Sequence, residues 1–108
     1  MYIGNLDYDE HIKKATGIII FGGGSMLPHL LKKMEQHDLI EKVIAICDNN
    51  TDLQGKEISG IPVLAPDDVC KKYINMDFIV YNQYFMEICE QLYKNRITQI
   101  HLIRQDSL

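Results

Sequence analysis

Two kinds of apolar pattern alternate along this chain. Gly17-Ile18-Ile19-Ile20-Phe21, Lys42-Val43-Ile44-Ala45-Ile46-Cys47 and Phe78-Ile79-Val80-Tyr81 are short continuous runs, rich in β-branched residues and without polar alternation. Such runs suit strands covered on both faces, as in a parallel sheet. Between them the apolar positions fall at helical spacing. Met26, Leu27, Leu30, Leu31 and Met34 make one stripe, in a helix running from a Ser25 cap to about His37. Phe85, Ile88, Cys89 and Leu92 make another, in a helix from about Gln83 to Asn95 with Asn82 as its cap. Pro66-Asp67-Asp68 opens a third, with Pro in the first turn and carboxylates at the positive end of the dipole; Val69, Tyr73 and Ile74 should face inward. Ile61-Pro62-Val63-Leu64 reads as a short edge strand because Pro62 lacks a donor, and Gln99 to Ile103 closes the chain as a last strand. Residues 5–15 read as a polar helix with a thin apolar face of Leu6, Ile12 and Ala15.

Strands separated by helices call for right-handed crossovers and a parallel sheet. The pattern thus predicts a three-layer α/β domain over residues 17–108, with five strands in the order 3-2-1-4-5 and an N-terminal helical extension over 1–16. At 108 residues there is room for one domain. Composition changes this picture little: 46% apolar and 24% charged residues are ordinary for a globular protein. Eleven basic residues against fifteen acidic ones, with no Lys/Arg block, disfavour a nucleic-acid surface. No apolar run is long enough for membrane insertion, and Met1 to Lys14 is too polar for a signal peptide, which points to the cytoplasm. Cys47, Cys70 and Cys89 are widely spaced and read as buried packing thiols. The four histidines form no metal-ligand spacing.

Three segments converge where the strand order reverses, the usual ligand crevice of open α/β sheets. Gly22-Gly23-Gly24 follows a buried strand and precedes a helix, so that a phosphate can approach backbone N–H groups at the positive helix end, with Ser25 beside them. Asp48 ends the next strand, 26 residues after Gly22. It is placed either to accept ribose hydroxyls or to open an Asx turn with Asn49 and Asn50. Asn82, with Gln83 and Tyr84, ends the fourth strand as a site residue or as a helix cap. The third fingerprint position holds Leu27 in place of Gly or Ala, and its bulk should push the helix outward or narrow the pocket. No arginine follows Asp48 to meet a 2′-phosphate, which favours NAD(H) as the dinucleotide. There is no Tyr-x-x-x-Lys, no Ser/His/Asp set and no pair of catalytic carboxylates.

Ile18 to Ser25, Cys47-Asp48-Asn49-Asn50 and Gln54-Gly55-Lys56-x-Ile58-x-Gly60-Ile61-Pro62-Val63 resemble the Rossmann-like nucleotide-binding domain of bacterial surface-polysaccharide proteins. Such domains precede nucleotide-sugar epimerases and dehydratases, sugar methyltransferases and acyltransferases. The resemblance implies binding of NAD(P), CoA or a nucleotide sugar, with Gly22, Gly24 and Ser25 on phosphate and Asp48 on ribose. It implies a domain that is not catalytic alone and works with a catalytic domain or partner protein. The alternatives are a structural or oligomerisation module that kept the fold, with a homodimer possible, and one part of an NAD-dependent sugar-nucleotide epimerase or dehydratase.

Overall fold

The computed structural model describes residues 1–4 and 10–104. In chain order these form β1 (Tyr2–Gly4), α1 (Glu10–Lys13), β2 (Ile18–Phe21), α2 (Leu27–Gln36), β3 (Val43–Cys47), β4 (Glu57–Ile58), β5 (Ile61–Leu64), α3 (Pro66–Lys72), β6 (Asp77–Val80), α4 (Phe85–Lys94) and β7 (Ile100–Ile103). The β-branched runs do become the buried inner strands: every residue of β2 and β6 is buried.

The sheet has seven strands, not five, so the five-strand order is corrected to β1-β7-β6-β2-β3-β5-β4. The inner run β5-β3-β2-β6-β7 follows the expected connectivity; the two edges are what the pattern missed. β1 pairs parallel to β7, and β4 pairs antiparallel to β5. β4 and β5 are joined by Ser59-Gly60, both at positive φ (52° and 79°), the backbone of a tight two-residue hairpin. Pro62 therefore does not lie on an edge strand. It faces Glu57 on one side, and on the other the pairing with β3 begins only at Val63, so its missing N–H breaks no ladder.

Alternate strand residues feed two helix layers. Ile18, Ile20, Ile46 and Ile79 meet Ile12 of α1 and Leu27, Leu30, Leu31 and Met34 of α2 on one face. Ile19, Phe21, Phe78 and Val80 meet Val69 and Cys70 of α3 and Ile88, Cys89 and Leu92 of α4 on the other. Each fully buried Leu or Ile is worth roughly 1.5–3 kcal/mol, which makes the two stripes the main cement of the domain. Ile74 is an exception among the expected core residues: α3 ends at Lys72, and Ile74 is 39% exposed. Ser25 and Asn82 do not cap the helices. α2 starts from Met26, one residue later than expected, and α4 from Tyr84, two residues later, neither with a side-chain cap bond. Of the expected N-terminal helix only Glu10–Lys13 is helical among the described residues, and Leu6 lies outside them.

One buried polar pair sits among the apolar residues. His101 is fully buried, its Nε2 lies 2.7 Å from Oδ1 of Asp77, and Tyr2 stacks on its ring at 4.8 Å. The pair ties the starts of β6 and β7 together beneath β1. Replacing His101 with Leu strands the Asp77 carboxylate in the interior, and removing one member of a buried pair costs about 3–5 kcal/mol. Urea unfolding of His101→Leu is expected to show a loss of that order; a loss below about 1 kcal/mol contradicts the assignment.

Candidate functional site

β2 sends its chain to β3 through α2 on one face, whereas β6 sends its chain to β7 through α4 on the other. Beyond the carboxyl ends of β2 and β6 the two connections diverge and leave a crevice. The triple glycine and Asp48 meet there. The Gly23 N–H donates to Oδ2 of Asp48 at 2.7 Å, and the Asn50 N–H donates to Oδ1 at 2.8 Å. Asp48 thus does open the Asx turn, and with its other oxygen it holds the glycine loop.

The three glycines have different reasons to be glycine. Gly22 sits at φ +117°, and a Cβ there would come within 2.8 Å of the Asn82 side-chain nitrogen. Its N–H donates to Cys47 O at 2.8 Å, which carries the β2–β3 pairing one residue past the strand. Gly23 is packed under Leu53 and Ile58, whose Cδ1 atoms would lie 3.4 and 3.2 Å from a Cβ at this position. A Cβ at Gly24 would meet nothing within 4 Å and its φ is not positive, so only the space in front of it is special. From Gly24 the chain turns into α2. The N–H groups of Gly24, Ser25 and Met26 have no hydrogen-bond partner among the described residues, whereas Leu27 donates to Gly24 O at 3.1 Å. Three open donors at the start of a ten-residue helix form an anion-attracting nest.

Leu27 does not plug this notch. It is 3% exposed and packs into the α2 core layer, so its bulk forms floor and not barrier. The crevice is divided by Gly22 and Asn82. One lobe of ≈ 130 Å³ lies over the loop, between Gly24-Ser25-Met26 and Gln83-Tyr84. The other, of ≈ 350 Å³, runs from Asp48 and Asn49 to the α4 flank. Asn82 accepts the Tyr84 N–H at 2.8 Å, an Asx turn that shapes the dividing wall. Asn49 is engaged across the larger lobe: its amide and that of Gln91 exchange two hydrogen bonds of 2.9 Å. Glu87, Gln91 and the Met26 amide are crevice groups that the sequence reading did not single out. The signal was available in the spacing, because Tyr84, Glu87 and Gln91 recur on one flank of the last helix, beside Asn82. His29 lies on the exposed side of α2.

The Gln54-to-Val63 segment is the buttress of this site. Gln54 donates through Nε2 to Asp48 O at 2.8 Å, and Gly55 N–H donates to Val63 O at 2.8 Å. The cysteines take no part in it. Burial first, then Cys70 and Asp48 nearby, push the Cys47 thiol far up; burial and Asp67 push Cys70 up to about 11; burial raises Cys89 as well. All three stay protonated at neutral pH and are poor nucleophiles. Among the described residues no helix is long and apolar enough to cross a membrane.

The fold and crevice define a Rossmann-like α/β domain with an open switch point. The chain belongs to the C2185-like, N-terminal family, whose model matches residues 14–103. Among solved structures it is similar to RSP, a Rex-family repressor, with a TM-score of 0.62 and 16% identity over 86% of this chain and 54% of the other. The chain thus spans about half the length of that repressor, and the likeness is one of fold. No curated protein matches it.

Gly22 and Gly24 make opposite predictions for the loop. Gly22→Ala is expected to lower stability by about 1–3 kcal/mol, from the positive φ and the Asn82 contact. Gly24→Ala is expected to stay within about 0.5 kcal/mol of the parent. Denaturant titration of the two variants checks this, and equal losses would contradict it.

Proposed function

We propose that this domain binds a nucleotide-containing small molecule in the switch-point crevice, with a phosphate on the N–H groups of Gly24, Ser25 and Met26 and a ribose hydroxyl on Asp48. The observation that carries the reading is the set of three unpartnered N–H groups beside a carboxylate already fixed in place by Gly23. Each Asp48 oxygen accepts one described bond and keeps a lone pair for a hydroxyl. The open space at Gly24 lets a phosphate reach the backbone.

Charge narrows the ligand. Among the described residues the charged groups lining the two lobes are Asp48 and Glu87, with no lysine or arginine. An extra phosphate near Asp48, as on NADP or CoA, would meet like charge with nothing to offset it. NAD(H) is accordingly our first candidate, and a nucleotide sugar the second. The setting in bacterial surface-polysaccharide or sugar-nucleotide chemistry rests on the resemblance of the Gln54-to-Val63 segment. In this reading the domain holds a ligand for chemistry supplied by a catalytic domain or a partner protein.

One observation favours a second reading. Asp48, Asn49 and Asn82 are all hydrogen-bonded within the chain, as a structural module with a vestigial site would have them. Thermal shift and calorimetry with NAD, NADP, CoA and a UDP-sugar separate the two. Binding at about 100 times Kd stabilises by roughly 2.7 kcal/mol, a shift of several degrees. NAD is expected to give this shift, with NADP and CoA at least roughly tenfold weaker, since about 1.4 kcal/mol of charge repulsion is one decade. Gly24→Val is expected to keep the parent melting temperature and lose the response. Silence toward all four ligands favours the structural module.

A further inference from the structure

The helix layer built by α3 and α4 stops short of the sheet's edge. Successive right-handed crossovers from β5 to β6 and from β6 to β7 place both helices on one face. Beyond α4, over β7 and β1, no described helix follows. An open groove of ≈ 580 Å³ remains there between the α4 flank and the bare sheet, with Met1, Ile3, Leu102, Met86 and Tyr93 on its walls. Ile3 is 67% exposed, Met86 70% and Tyr93 49%. Large apolar side chains gathered in this way mark a contact surface, whereas scattered ones do not. Among the described residues β1 pairs only with β7, so its outer backbone edge has no described partner strand.

The same region carries the complement of its own groove. Met86, Glu90, Tyr93 and Lys94 recur at i, i+4, i+7 and i+8, a second stripe on α4 separate from the core stripe of Ile88, Cys89 and Leu92. A ridge without a cover beside a strip of sheet without a helix is what a two-fold, self-complementary contact requires. Charge sets the direction. Glu90 and Lys94 form an exposed ion pair of 3.2 Å within this stripe. Two α4 helices crossing antiparallel between these positions bring each Glu90 opposite the Lys94 of the other copy, whereas a parallel, in-register pairing opposes like charges.

We propose that a second copy of this chain docks on this face, the α4 ridge of each copy covering the bare strip over β7 and β1 of the other. Met86 and Tyr93 line this groove and not the nucleotide crevice, whereas Glu87 and Gln91 line the crevice and stand beside Glu90 and Lys94 on α4. The inference is independent of what the crevice binds.

Sedimentation equilibrium over roughly 1 to 100 μM, the range where interfaces of modest size are half-formed, tests it. The parent chain is expected to be dimeric at the upper end. Met86→Glu and Ile3→Glu, both at exposed positions, are each expected to shift the midpoint at least about tenfold while the far-ultraviolet circular dichroism spectrum of the folded chain stays unchanged. Glu90→Lys is expected to weaken the dimer, and adding Lys94→Glu to restore it. A parent chain that is monomeric throughout, or a dimer that ignores both Met86→Glu and Ile3→Glu, overturns the proposal.

Discussion

The hydrogen bond from the Gly23 N–H to the Asp48 carboxylate is the constraint on which the site depends. It joins residues 25 positions apart and fastens the glycine loop to the tip of the neighbouring strand. With Gly22 tied to Cys47 and Gly23 to Asp48, the loop has spent its first two donors. The next three therefore emerge together at the start of α2. Asp48 is held in turn by the Asn50 N–H and, through its carbonyl, by Gln54. A carboxylate fixed by two amide donors loses little freedom when a hydroxyl arrives, which is the general advantage of a preorganised site.

The inner sheet was legible because burial on both faces leaves no choice of residue: Ile18-Ile19-Ile20 and Phe78-Ile79-Val80 have no polar positions to spare. The edges were not. β1 is three residues long and β4 two, too short for any period to register, and both exist through tertiary pairing. The Ser59-Gly60 turn was the available hairpin signal, and Pro62 obscured it by arguing for an edge. The helix starts slipped by one residue at α2 and two at α4; Asn82 is favoured at caps and at turns alike, and its side chain closes an Asx turn on the Tyr84 N–H in place of a cap.

At the site, the meeting of the glycines with Asp48 followed from topology alone, since both end adjacent parallel strands. The direction of each donor did not. Nothing in the residue types says that Gly23 and not Gly24 bonds the carboxylate, or that Leu27 turns down into the core. The Asn49–Gln91 amide pair joins positions 42 apart and depends on how α4 lies across β3. α4 emerges as the element with most to do: one flank closes the crevice, one packs the core, and the third faces outward with Met86 and Tyr93 exposed.

The central claim is that the donors of Gly24, Ser25 and Met26 receive a nucleotide phosphate beside Asp48. Amide chemical shifts recorded by NMR while NAD is added report on those donors one by one. The account predicts the largest shifts at Gly24, Ser25 and Met26, smaller ones at Asp48 and Asn50, and little change at Met86 and Tyr93. Shifts centred away from the loop, or none at saturating NAD, would contradict it.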